Sequence, residues 1–144
     1  MGGVYMTMID EKELINKYVM AAEDRIKSLK RGKDNKFGLT TSQLRKFLSM
    51  IVSLKQKVEQ EVRKNHSNTL SADLKMEIYF LKVMISYQAG REQGYGHYIQ
   101  DFIDKTEVIK FIEEIEDDAQ KFRIFCKYVE ALVAYHKYYG GKDK

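Results

Sequence analysis

Residues 40–64 run without a glycine, and the whole chain of 144 residues contains no proline. With so little to interrupt the backbone, hydrophobic spacing decides the local structure. Here Leu44, Phe47, Leu48, Ile51, Leu54, Val58 and Val62 recur at steps of three and four, the period of one helical face. Thr40 is placed to cap this helix, and Gln43 three residues later completes a capping box. At about 100° per residue the opposite face carries Ser42, Lys46, Ser49, Ser53, Lys57, Gln60 and Lys64. No Asp or Glu falls on that strip, whereas a solvated helix face normally mixes signs. A one-sign strip points to a polyanionic partner.

The same period recurs along the rest of the chain. Residues 9–30 read as a first helix, with Asp10, Glu11 and Glu13 at its positive end and Lys27, Lys30 and Arg31 at its negative end. Gly32 and Gly38 bound a polar turn before the basic helix. Ser71 caps a third helix, whose seam is Leu74, Ile78, Leu81 and Ile85. Met76, Phe80, Val83, Met84 and Tyr87 cover most of its other faces, so this helix is expected to be central and buried nearly all round. Glycines 90, 94 and 96 mark a turn. A fourth helix follows over 97–116, with a break expected near Asp104–Glu107. Asp117 or Asp118 is placed to cap a fifth helix over 119–139, which Gly140 and Gly141 end. No strand pattern competes. The expectation is an all-α, five-helix bundle-like fold forming a single domain over 1–144, with flexible ends at 1–8 and 140–144.

Composition excludes several classes. Hydrophobic residues make up 44% and charged ones 32%, which fits neither disorder nor a membrane protein. No apolar run approaches the roughly 20 residues a spanning helix needs, and the first ten residues lack the features of a secretory signal or a myristoylation site. The single cysteine, Cys126, rules out an internal disulfide and fits a cytoplasmic location. His66, His97 and His136 are isolated, and no HExxH or CxxC spacing occurs, so neither a metal nor any other cofactor is expected. The acidic run Glu113–Asp118 is contiguous rather than convergent, which suits a solvated helix end better than a general acid–base pair. No enzyme is expected.

Charge is unevenly distributed. Residues 36–64 carry seven Lys/Arg against two Asp/Glu, residues 97–120 two against eight, and residues 121–144 six against two. Either the segments neutralise each other in the fold, or they present surfaces to different partners. Three basic sets are candidate binding surfaces. The first is Arg45, Lys46, Lys57, Arg63 and Lys64; Lys46 and Lys57 lie three turns apart, about 16 Å, enough to touch successive phosphates. The second is Lys75, Lys82 and Arg91. The third is Lys121, Arg123, Lys127, Lys137 and Lys142 with neighbouring tyrosines, which could stack on unpaired bases. A solubilising face competes with each. Such sets bind backbone phosphates with little reading of sequence, and their affinity falls steeply with salt.

Three blocks of sequence carry a resemblance: LTTSQLRKFL at 39–48, FLKVMISYQAGR at 80–91 and FCKYVEALVAYHKYYGGK at 125–142. Together, in this order and spacing, they resemble the small helical subunit of type III-A CRISPR effector complexes, the Csm family. The resemblance implies a non-enzymatic subunit that stacks in several copies beside backbone and large subunits. It implies that these copies line a channel for guide RNA and target RNA, with single-stranded DNA as a further candidate. By position it points to Arg45, Lys46, Lys82, Arg91 and Lys137 as RNA contacts, alongside Lys57 from the helical strip. Family members often carry an LKPK run where this chain has Leu81–Met84, so Met84 replaces its second lysine. A helical protein–protein adaptor with no direct nucleic-acid contact is the alternative reading.

Overall fold

The computed structural model describes residues 10–92 and 96–141. Of the flexible ends expected at 1–8 and 140–144, residues 1–8 and 142–144 lie outside the described residues, as do the candidates Gly94 and Lys142. Within them the chain is all-α, and strand-like pairing is limited to two isolated bridges, Arg31 with Phe37 and Thr69 with Asp118. The helices are α1 (Glu11–Lys17), α2 (Ala22–Lys27), α3 (Thr41–Asn65), α4 (Ala72–Arg91), α5 (Tyr98–Thr106), α6 (Val108–Ile115) and α7 (Ala119–Tyr138), with a 3₁₀ turn at Val19–Ala21.

The five expected helical segments are all present, but two of them are divided. The first breaks between α1 and α2 although no glycine or proline marks the place. The fourth breaks at Glu107, which adopts the left-handed conformation (φ 56°). One residue pins both breaks. Arg25 donates Nη2–H to the Lys17 carbonyl (2.9 Å) at the end of α1 and Nη1–H to the Thr106 carbonyl (2.7 Å) at the end of α5. The Tyr128 hydroxyl donates to the same Thr106 oxygen (2.7 Å), so the exposed end of a broken helix is satisfied from two sides. Arg25 also lies 3.5 Å from the Glu107 carboxylate and over the Tyr18 ring.

The caps follow the expected chemistry. Thr40 and Gln43 form a complete capping box at α3; Ser71 accepts from Leu74 N–H at α4, and Asp118 accepts from Gln120 and Lys121 N–H at α7. At the far end of α7, Gly140 (φ 99°) occupies the left-handed position of a Schellman closure. Its N–H reaches the Lys137 carbonyl (3.1 Å), and Gly141 N–H reaches the His136 carbonyl (2.8 Å).

The centre of the core is α7, not α4. Phe122, Phe125, Cys126, Tyr128, Val129 and Leu132 are buried, and α7 packs against α1, α2, α3 and α6. Phe111 from α6 anchors an aromatic cluster with Tyr18 (ring centroids 4.4 Å apart), Phe125 (5.2 Å) and Tyr128 (5.9 Å). Among the described elements α4 packs only against α3, α5 and α6. Its expected seam Leu74–Ile78–Leu81–Ile85 is buried, together with Ala89, but Met76, Tyr79, Phe80, Val83 and Tyr87 face solvent. An all-round apolar helix can be buried on every side; here only the seam is covered by described elements.

Candidate nucleic-acid interface

α3 places its apolar seam inward through Leu44, Phe47, Ile51, Leu54 and Val58. The strip Ser42, Lys46, Ser49, Ser53, Lys57, Gln60 and Lys64 is therefore turned outward, and every one of these residues is exposed. The two acids of this helix are drawn away from the strip. Glu59 forms a two-pronged pair with Arg123 of α7 (2.7 and 2.8 Å), and the Arg123 guanidinium holds the Glu59 carboxyl below the usual carboxylate range. Glu61 accepts from Ser71 N–H (2.8 Å), at the turn into α4.

Arg45 and Lys46 are exposed, and neither pairs with a carboxylate among the described residues. Lys46 reaches over a cleft of about 560 Å³ between α3 and α4, and Arg91 lines the same cleft from the end of α4. Gln43, Ser49 and Gln88 supply neutral polar groups there, while Phe47, Met50, Met84 and Ile85 form its floor. Ser49 already stands on the outward strip and Gln43 in the capping box, whereas Gln88 was not among the sequence candidates. Gln43 lies three residues before Lys46, and Gln88 three before Arg91, so helical spacing marks both.

The other candidates have company within the fold. Lys57 pairs with Glu77 of α4 (2.9 Å), and both side chains are largely exposed, so the pair is worth little. Lys82 reaches away from the cleft to Glu113 of α6 (2.6 Å) and to the Tyr79 hydroxyl (3.3 Å), and the carboxylate raises its pKa. Nine residues separate Lys82 from Arg91, which at about 100° per residue is half a turn. Lys82 and Arg91 thus stand on opposite sides of α4. Lys137 is exposed at the last turn of α7. Arg123 of the third set is engaged with Glu59, and Lys121 is buried. The acidic segment 97–120 is partly neutralised internally, through Asp101 with Lys105, Glu107 with Lys110 and Arg25, and Glu113 with Lys82.

The C-terminal block sets the start of α3. His136 is fully buried and stacks on Phe37 (5.0 Å). Its Nε2 lies 2.8 Å from the Leu39 carbonyl, so that nitrogen donates, and Nδ1 is left to accept from the Thr41 hydroxyl at 3.4 Å. Burial lowers the His136 pKa and keeps the ring neutral, as this arrangement requires. Gly141 packs so closely that a Cβ there would lie 2.2 Å from His136 Nδ1. The histidine and the glycine thus serve one task, fixing Leu39–Thr41 where the capping box begins. Among the described residues no group of three or more His, Cys, Asp or Glu gathers as a metal site would need. No helix among them is long and apolar enough to cross a membrane.

A buried neutral histidine clamping the head of a basic helix unites the first and third sequence blocks, and comparison with known families agrees with them. The family model described as Csm2 Type III-A matches residues 12–142. The chain belongs to the Csm2 family. Curated relatives, each described as CRISPR system Cms protein Csm2, align along much of its length. The Streptococcus thermophilus protein is 38% identical over 126 residues, covering 88% of this chain and 93% of the relative. The Mycobacterium tuberculosis (H37Rv) protein is 37% identical over 112 residues, 78% and 84% of the two chains. The Enterococcus italicus protein is 39% identical over 104 residues, 71% and 69%. The Csm2 match covers every described helix except the first residue of α1.

Proposed function

We propose that this Csm2-family chain is a non-enzymatic small subunit of a type III-A CRISPR ribonucleoprotein acting in antiviral defence in the cytoplasm. It lines the channel for guide RNA and target RNA through sequence-independent phosphate contacts, and its partners are further copies of itself and the backbone and large subunits. The observation that carries the reading is the exposed, acid-free face of α3, with Arg45 and Lys46 unpaired and Arg91 across the cleft from Lys46. Lys57 extends the track along α3. Lys82 is a weaker contributor, since it faces α6, and Lys137 adds a charge at the last turn of α7.

Fluorescence anisotropy with single-stranded RNA, single-stranded DNA and duplexes across a salt series tests it. Affinity should fall linearly on a log–log plot, and Lys46→Ala should remove about 0.7–0.9 of a unit of slope. Lys82→Ala should change the slope by less than half as much, because Glu113 already neutralises it. A protein–protein adaptor is the second reading, favoured by the exposed apolar face of α4. Absence of RNA binding at low salt, both free and in the assembled complex, would select it.

A further inference from the structure

The cleft between α3 and α4 holds more than a phosphate needs. Backbone contacts require cations and hydrogen-bond donors, and the cations stand at its rim, Lys46 on α3 and Arg91 on α4. The Arg91 guanidinium is steadied there over the Tyr87 ring, at 5.7 Å. Beneath the two charges the cleft is apolar. Phe47 and Ile85 are buried in its floor, and the half-buried Met50 and Met84 line it from the two facing helices. Its volume, about 560 Å³, is that of a small-molecule site rather than a dent for one phosphate.

The polar groups between rim and floor are neutral. Gln43 accepts from Thr40 N–H (2.8 Å) through its carbonyl oxygen, so its amide nitrogen is left to donate to an occupant. Gln88 is exposed on the opposite wall and carries both a donor and an acceptor. No carboxylate of the described residues lines the cleft. Glu92, next in sequence to Arg91, accepts from Ile99 N–H (2.9 Å).

These three layers define an occupant. Two cations without an acid select an anion. The apolar floor selects a body joined to that anion, and the amides select a body with hydrogen-bonding edges. A bare phosphate would leave the floor wet, and an acyl phosphate would cover the amides without pairing them. A nucleotide whose base is out of the stack meets all three demands. Methionine side chains are flexible and polarizable, so the floor adapts to a purine or a pyrimidine, and Gln88 can turn its amide to suit either.

We propose that this cleft seats a single unstacked nucleotide, its base on the Met50–Met84 floor and its phosphate between Lys46 and Arg91. The same chemistry serves an unpaired nucleotide of a bound strand and a free mononucleotide. For the strand, the inference rests on the RNA reading of Lys46 and Arg91 and adds a base contact to it. Because the floor admits any base, recognition stays independent of sequence.

Methyl NMR of the full chain, labelled with ¹³C at the methionine methyls, tests it. Met50→Leu and Met84→Leu assign the two resonances. Adenosine 5′-monophosphate, titrated to about 10 mM so as to saturate a millimolar site, should shift both methyls. Ribose 5-phosphate and inorganic phosphate should shift neither. Lys46→Ala and Arg91→Ala change exposed residues, so each should weaken the mononucleotide about three- to tenfold with an unchanged thermal transition. An RNA duplex with one unpaired nucleotide should shift the same methyls, and the fully paired duplex should not. An abasic residue at the unpaired position should cost about five- to a hundredfold in affinity.

Shifts with the mononucleotide but not with the bulged duplex support the site and assign it to a free nucleotide; shifts with the duplex alone support it and assign it to a strand. Methyls that stay still with every probe overturn the proposal. So do shifts that ribose 5-phosphate or the fully paired duplex reproduces. If RNA binds with the expected salt slope while both methyls stay still, the cleft proposal falls and the RNA reading stands. If the mononucleotide shifts the methyls but no RNA binds, the RNA reading falls and the nucleotide site stands.

Discussion

Gly141→Ala adds one methyl group to the chain and should cost far more than a methyl group usually does. The new Cβ would stand 2.2 Å from Nδ1 and 2.3 Å from Cε1 of His136, and 2.8 Å from its carbonyl oxygen. The ring cannot yield without leaving its site, because Phe37 stacks on it and Leu39 and Thr41 hold its two nitrogens. Displacing it leaves the Leu39 carbonyl unpaired, about 1–3 kcal/mol, and loses the ring stacking, about 0.5–1.5 kcal/mol. Replacing a glycine at an ordinary φ returns about 0.4–1 kcal/mol through the unfolded chain. The expected net loss is about 2–3 kcal/mol, read by urea unfolding followed by circular dichroism at pH 7.5.

A second readout is pH. In the parent the folded His136 pKa lies below its unfolded value near 6.5, so between those two values the unfolded chain binds more protons. Its contribution is complete above the unfolded pKa and is lost as pH falls to the folded one, with a slope of at most about 1.4 kcal/mol per pH unit. In the variant, with the imidazole displaced to water, this component should vanish. A loss below about 0.5 kcal/mol, or an unchanged pH dependence, would refute the account of why glycine stands at 141.

Three further outcomes are expected. The Glu59–Arg123 pair is two-pronged and about 30% exposed, so a double-mutant cycle with alanine should show a coupling of about 1 kcal/mol; because Arg123 lowers the Glu59 pKa, the coupling should persist above the ordinary carboxylate pKa and fade as pH drops through the lowered value. The Tyr18 hydroxyl is buried without a hydrogen-bond partner among the described residues, and burial pushes its pKa up to about 12. Tyr18→Phe should therefore leave stability unchanged or raise it by about 1 kcal/mol in a thermal melt, and a loss above 1 kcal/mol would show that the hydroxyl is satisfied. Cys126 is buried, which pushes its thiol up to about 12, so the native protein should resist a thiol reagent at pH 8 and react only as urea unfolds it.

Local signals in the sequence were sufficient for the caps and for the helical seams. Thr40 with Gln43 and Ser71 act through atoms within three residues, so spacing alone reveals them; at α7 spacing left Asp117 and Asp118 open, and the cap is Asp118. The break between α1 and α2 had no such marker, because its cause is Arg25, whose other hydrogen bonds go to residues 106 and 128. Which helix is central was also hidden. Periodicity shows that α4 is apolar on two faces, but only tertiary packing shows that just one of them has neighbours. Of the basic candidates, the opposition of Lys82 and Arg91 was available from helical arithmetic. The ion pairs of Lys57 with Glu77 and Lys82 with Glu113 were not, since they join separate helices. His136 looked isolated in the sequence because its partners lie about 95 residues away.

That separation has a consequence for biosynthesis. The clamp on Leu39 and Thr41 is built from residues 136 and 141, near the end of the described chain, so α3 emerges from the ribosome about a hundred residues before its anchor does. A nascent α3 can coil and close its own capping box, but Leu39 and Thr41 lack their clamp during that interval. The basic face takes its final shape only once residues 136 and 141 have emerged and closed on Leu39 and Thr41.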